Sequence, residues 1–148
     1  MGYLHSLKST EALWIQELAR EIWEEYYPRI ISIQQIDYML QRFYHIDSLR
    51  NDFEQNVQFY SILDQEKRGG FISIESLEDE SYFIHKFYIH HNYRKSGMGT
   101  KVFQELIRDL FPNAKEIRLK VNRYNIESIN FYFKNGFIIE SYGDFEIG

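Results

Sequence analysis

Apolar residues recur at helical spacing from Trp14 to Tyr44 and switch to strand alternation from Val57 onward, and this change of period restricts the possible folds most. Trp14, Ile15, Leu18, Ala19, Ile22, Trp23 and Tyr26 make one continuous helical stripe. The helix is predicted to start near Thr10, which can cap it, with Glu11 suited to the positive end of the dipole. A second helix begins at Ser32, where Ser32-x-x-Gln35 reads as a capping box, and buries Ile36, Met39, Leu40, Phe43 and Tyr44. A short strand around Tyr3 to Leu7 precedes both.

Three strands follow: Val57 to Leu63, Phe71 to Glu75 after a turn through Asp64 to Gly70, and Tyr82 to Ile89 after the acidic turn Glu78-Asp79-Glu80. A third helix is predicted from Gly97 to Phe111, with Met98, Val102, Phe103, Leu106, Ile107 and Leu110 inward and Pro112 as its stop. Glu116 to Val121 reads as a strand. Asn125 to Asn135 reads as a short helix capped by Asn125 and closed by Gly136, and Phe137 to Tyr142 as a last strand. This order predicts an α/β fold, a mixed sheet flanked by about four helices, rather than a bundle or a sandwich. With 148 residues and no repeat or linker, one domain over residues 1–148 is expected.

Composition narrows the function. The absence of cysteine excludes disulfides, thiolate metal sites and cysteine nucleophiles, and fits a reducing compartment. No run approaches the ~20 apolar residues that span a bilayer. Met1 to Ser9 lack the order of a signal peptide, so a cytoplasmic protein without a membrane partner is expected. A net charge of -5 argues against nucleic acid. The charge is uneven: Ser81 to Gln104 holds four Lys/Arg and no Asp or Glu. An acidic chain with one basic stretch points to a small bound anion there.

Within that stretch, Arg94-Lys95-Ser96-Gly97-Met98-Gly99 lies between a strand and a helix. Gly97 and Gly99 would let backbone approach an anion, the first helical amides lack internal partners, and Arg94 and Lys95 add full charges. A bare G-x-G matches often by accident. Two rival phosphate loops fail on detail. A P-loop needs Gly-Lys-Ser/Thr, whereas Gly99 is followed by Thr100-Lys101. A dinucleotide fingerprint needs a third glycine where Val102 stands.

Arg94-x-x-Gly97-x-Gly99, behind the strand Phe87-Tyr88-Ile89, resembles the acetyl-CoA signature of the GNAT superfamily of N-acetyltransferases. Asn125-x-x-Ser128-Ile129-x-Phe131-Tyr132-x-x-x-Gly136-Phe137 resembles the same family's second signature. The resemblance implies a GNAT acyltransferase fold with a splayed pair of parallel strands, here Tyr82 to Ile89 and Glu116 to Val121. It implies acetyl-CoA as co-substrate, with pantetheine along Phe87, Tyr88 and Ile89. The pyrophosphate would sit on the amides of Arg94, Lys95, Ser96, Gly97, Met98, Gly99 and Thr100, and Asn125 would touch the cofactor. Tyr132 falls on the position of the general acid that protonates the departing thiolate. With a thiol near ~8.5 and a tyrosine near ~10, that transfer is uphill by only about 2 kcal/mol. Some family members carry a Glu on the strand before the glycine loop; here Tyr82-Phe83-Ile84-His85 has no carboxylate. His85, placed on the face of Phe87 by alternation, is the first candidate base, and Glu80 the second.

Other features carry less. His90-His91 alternate across a strand without a supporting ligand set, so no metal is expected. Trp23, Tyr26, Tyr27, Tyr38, Phe43 and Tyr44, with Glu24, Glu25 and Asp37 between them, would suit a cationic amine if they wall the acceptor site. Members of that family usually finish with a hairpin whose last strand completes the sheet, whereas only Asp144 to Gly148 remain after Tyr142-Gly143. Either the final strand is rudimentary or a partner chain covers the open edge, and a homodimer is expected. The implied activity is acetyl transfer to a small-molecule or peptide amine. The alternative is a non-catalytic acyl-CoA-binding regulator.

Overall fold

The computed structural model describes residues 2–26, 31–65, 67–90 and 97–143. One mixed sheet runs in the order β1 (Leu4–Ser6), β2 (Val57–Asp64), β3 (Lys67–Ser76), β4 (Ser81–Ile89) and β5 (Glu116–Leu119). The first four strands pair antiparallel, and β4 pairs parallel with β5. The described helices are α1 (Ala12–Tyr26), α2 (Ile33–Tyr44), α3 (Ile46–Glu54), α4 (Met98–Glu105) and α5 (Ile126–Lys134). The α/β class therefore holds, with five helices rather than four.

Alternation along the strands divides the core in two. Phe59, Phe71 and Tyr88 point to one face and meet α1, α2 and α3 through Ile15, Ile22, Trp23, Leu40 and Leu49. Ile62, Ile72, Ile74 and Ile84 point to the other and meet α4 and α5. Each face has its own aromatic cluster. Trp23, Tyr44, Phe71 and Tyr88 lie with ring centroids between 5.7 and 6.3 Å apart on the first face. Phe87, Phe103, Phe131, Tyr132 and Phe137 cluster between 5.0 and 6.2 Å on the second.

Several local expectations are corrected. Thr10 does not cap α1: a 3-10 turn over Ser9–Glu11 comes first, and Glu11 accepts from the Lys8 amide at 3.3 Å. Ser32 does cap α2, accepting from Gln35 N at 3.1 Å. The turn after β2 is shorter than Asp64 to Gly70, because Lys67 to Gly70 belong to β3. Gly70 is what allows this: a Cβ there would lie 2.2 Å from the Tyr88 carbonyl oxygen. Beyond Glu105 the third predicted helix widens into a π turn over Leu106–Leu110, which leaves Ile107 50% exposed instead of inward. Phe137 to Tyr142 form no strand; Glu140 reaches Arg118 of β5 through a 2.7 Å side-chain bond, without a backbone ladder.

Two buried ionisable groups tie the layers. Glu105 of α4 accepts from the amides of Tyr3 and Leu4 at 2.6 and 2.9 Å, anchoring the chain just before and within β1. Lys86 of β4 is 4% exposed, and its ammonium lies 3.5 Å from Asp52 of α3 and 5.2 Å from the Tyr44 ring centre. Burial holds the Lys86 ammonium below the ordinary lysine value of 10.5, and Asp52 offsets part of that. Between the folded value and 10.5 the unfolded chain binds the extra proton, so this group adds stability as pH rises through that window. The unfolding free energy of wild type minus that of Lys86→Met, from urea titrations, should therefore climb as pH approaches 10.5 and level off above it. Asp52→Asn, which strands the buried charge, should cost about 3 kcal/mol near neutral pH. A pH-independent difference for Lys86→Met would show that the site does not desolvate the amine.

Candidate active site

Pairing between β4 and β5 covers four residue pairs, from Ser81↔Glu116 to Ile84↔Leu119, and then stops. β4 continues to Ile89, while β5 ends at Leu119. At the point of separation β4 also bulges: Ile74 of β3 pairs with Ile84, and the preceding Ser73 pairs with Lys86. His85 is the extra residue. A bulge sharpens the local twist and bends its strand, and here the bend coincides with the split.

The split opens a cavity of about 390 Å³. Its walls come from both faces of the sheet: Trp23, Tyr38 and Met39 on the side of α1 and α2, and Asn125, Phe131 and Tyr132 on the side of α5. Ile84, His85, Phe87, Tyr88 and Ile89 form the β4 wall, and Leu119, Lys120 and Val121 face them. A passage through a sheet, lined by backbone of a strand that has lost its neighbour, suits a long, narrow ligand with amide groups. Near its end lies the start of α4. Gly97 caps this helix with φ of 75°, a left-handed conformation that favours glycine, and the first amides of the helix have no intrahelical acceptors.

The chain matches the Acetyltransferase (GNAT) family over residues 15–137. It belongs to the GNAT family of acetyltransferases. A curated relative, spermidine N(1)-acetyltransferase of Thermoplasma acidophilum, is 25% identical over 130 residues, spanning 84% of this chain and 80% of the relative. Among solved structures, the PaiA N-acetyltransferase of Thermoplasma acidophilum in complex with coenzyme A aligns with a TM-score of 0.81 at 23% identity, over 95% of this chain and 91% of that one. A GNAT acetyltransferase from Staphylococcus aureus Mu50 aligns at 0.72 with 18% identity, over 97% and 88% of the two chains. By family this chain is an N-acetyltransferase with the GNAT fold.

The residues expected to hold the cofactor are only partly brought together. Phe87, Tyr88, Ile89, Gly99, Asn125 and Tyr132 line the cavity. Asn125 is 3% exposed and caps α5, accepting from Ser128 N at 3.2 Å, so its capping and lining positions coincide. Met98 faces the core at 2% exposure, and Thr100 lies half-buried in the first turn of α4. Arg94, Lys95 and Ser96 lie outside the described residues, as does His91. The residues present fit a CoA thioester: a gap as deep as the sheet, a strand edge along it, and a helix start whose first amides lack intrahelical acceptors.

Tyr132 packs against Phe131, Phe137 and Phe103 at 5.4, 5.5 and 6.2 Å, and these rings fix where its phenol points. His85 also lines the cavity, but not on the face of Phe87. The bulge breaks the alternation there: Phe87 packs with Phe103 at 5.0 Å, whereas the His85 ring sits 4.8 Å from Phe83 and bonds through Nε2 to Glu75 Oε1 at 2.7 Å. Glu75, on β3, is the residue that sequence reasoning missed. Nothing along the chain joins it to His85, since their meeting depends on the hairpin register. Glu80 is not brought to the cavity. It sits in the turn before β4 with φ of 56° and accepts from the Tyr82 hydroxyl at 3.2 Å. Desolvation, with Glu80 adding to it, raises the Tyr82 phenol above its ordinary value.

The acidic wall expected on the first helices is not part of the cavity either. Glu24 and Asp37 face Arg20 at 2.8 and 3.9 Å, while Trp23 and Tyr38 do line the space. His90 bonds to Glu21 at 3.0 Å, and no group of three His, Asp or Glu gathers among the described residues.

Gly99 has a second role that its motif conceals. A Cβ on it would lie 2.6 Å from the tip of the Phe131 ring, so the glycine lets α4 close on α5. Gly99→Ala should therefore lower the ligand-free protein's stability by about 2 kcal/mol, read by thermal denaturation. Unchanged stability with weakened coenzyme A binding would assign the glycine to the ligand instead.

Proposed function

We propose that this GNAT protein is an acetyl-CoA-dependent N-acetyltransferase that acetylates a primary amine of a small molecule or peptide by direct attack in a ternary complex. The observation that carries the reading is the cavity through the split sheet, with His85 and Tyr132 on its walls. Acetyl-CoA supplies the activated acyl group as a thioester. The chain has no cysteine to carry an acetyl intermediate, which favours direct transfer. A relative named for spermidine supports a small amine as acceptor.

In this reading the ammonium of the acceptor gives a proton to His85, whose imidazole is oriented by Glu75 across 2.7 Å. Deprotonating an amine of pKa ~10 near pH 7 costs about 4 kcal/mol, so a base or a water relay beside the amine helps. The nitrogen lone pair then attacks the thioester carbon. The C–N bond forms, and the oxyanion takes hydrogen bonds from β4 amides near Ile89. Collapse breaks the C–S bond, and the thiolate takes the phenolic proton of Tyr132. The second proton, shed by the new amide nitrogen, passes to water, from which Tyr132 is reprotonated. Products are the N-acetyl amine and coenzyme A. The absence of cysteine fits a reducing, cytoplasmic setting for this chemistry.

Thiol release from acetyl-CoA over a panel of amines tests the assignment. Tyr132→Phe should lower kcat about a hundredfold while leaving acetyl-CoA binding nearly intact. His85→Gln and Glu75→Gln should lower kcat/KM most at low pH, the deficit narrowing as free amine becomes abundant. Tight acetyl-CoA binding without turnover on any amine would favour a regulatory role instead.

A homodimer completes the proposal. The β5 edge is open among the described residues, and beside it Ile138, Ile139 and Tyr142 are 86, 65 and 91% exposed. Analytical ultracentrifugation should give a dimer mass that Ile138→Glu reduces to monomer. A wild-type monomer at every concentration would remove the dimer.

A further inference from the structure

The through-sheet cavity has walls of different chemistry. Among the described residues, its acidic and basic lining is His85 of β4, Lys120 just after β5, and Glu127 of α5. The wall built by α1, α2 and the chain just ahead of α2 has no such residue. It consists of Trp23, Ile31, Gln35, Tyr38 and Met39. If coenzyme A lies on the side of α4 and α5, an acceptor that reaches His85 lies against this uncharged wall. This step rests on the acetyltransferase reading above.

The carboxylates of these helices are turned elsewhere. Glu24, Glu25 and Asp37 lie outside the lining. Glu24 and Asp37 face the Arg20 guanidinium at 2.8 and 3.9 Å, and Glu25 is engaged as well. Glu127 stands on the opposite wall with a partner of its own. Aromatic rings by themselves hold a cation only through their faces. Trp23 is 2% exposed and packs against Tyr44 and Tyr88 at 6.2 and 5.9 Å, so its ring is enclosed. Tyr38 is 56% exposed, and a ring in contact with water attracts a cation weakly. Gln35 adds a neutral amide. An ammonium or a carboxylate placed here would lose water and meet no opposite charge. A hydrocarbon body would instead cover Ile31, Tyr38 and Met39 and gain by leaving water.

We propose that the acceptor carries its amine on an uncharged, apolar body, an alkyl or aryl group, that lies along the wall of α1 and α2. The amine lies at His85. Gln35 and Tyr38, the exposed members of this wall, set the preference. A diamine or an amino acid would bring a second charge to a surface that has none to pair with it.

Four amines test this, with thiol release from acetyl-CoA as readout: pentylamine, heptylamine, cadaverine and aminopentanoate. Wild type should prefer pentylamine over cadaverine and aminopentanoate by about tenfold in kcat/KM, the scale of one uncompensated charge. Heptylamine should exceed pentylamine by about tenfold, since each buried methylene is worth about fourfold. Gln35 and Tyr38 are exposed, so Gln35→Glu and Tyr38→Glu should fold, with wild-type melting curves as controls. Either variant gives the wall a carboxylate and should move cadaverine ahead of pentylamine, while the KM for acetyl-CoA stays unchanged. A wild-type preference for cadaverine or aminopentanoate, or no gain from pentylamine to heptylamine, overturns the inference and leaves the acetyltransferase reading standing. An unchanged order of amines in both variants overturns it too. Turnover of no amine at all overturns both.

Discussion

The sheet is held together everywhere except where β4 passes Ile84, and the rest of the molecule is arranged around that failure of pairing. Four residue pairs join β4 to β5, and the fifth does not form. An open gap in a sheet leaves strand edges facing empty space, which is tolerable only if something closes its two ends. Here α1 and α2 close one side through Trp23, Tyr38 and Met39, and α5 closes the other through Phe131 and Tyr132. Large rings suit this task, because each covers much area with few rotatable bonds. The two aromatic clusters are thus the walls that keep a split sheet from collapsing, as well as the two halves of its core.

What the sequence made legible follows from how local each signal is. The stripes of α1 from Ile15 to Trp23 and of α2 from Ile36 to Tyr44, the caps at Ser32 and Asn125 and the turn glycine at Gly136 depend on neighbours within one or two turns, and they stand where local signals put them. Both family signatures are similarly local. Helix α3 was missed because it is short, polar on most faces, and capped by His45, which accepts from Asp47 N at 3.2 Å in place of a usual Ser or Asp. The last strand was over-read: Phe137 to Tyr142 has strand composition, yet composition cannot supply a ladder partner.

The bulge lies beyond any such reading. It is a mismatch in count between β3 and β4, and no residue in either strand announces it. Its effect on the site is large, because alternation alone would put His85 with Phe87, whereas one extra residue delivers it to Glu75. Motif positions such as Tyr132 were legible, since a motif records the outcome of the fold. The proposed base, His85, was legible only as a residue name, since its partner is set by register.

Register here is guarded by Lys86. If β4 slipped by one residue, the bulge would vanish and Lys86 would turn toward Ile72, Ile74 and Leu106, away from Asp52. A lysine charge set among those side chains without its carboxylate costs several kcal/mol, comparable with much of a small domain's stability. The alternative register is therefore closed by one buried charge beside the bulged residue. Asp52, supplied by the helix that sequence patterns failed to reveal, favours the register that joins His85 to Glu75. A pair of hydrophobic residues in these places could stabilise the fold as well, but it would fit both registers and leave the position of His85 undecided.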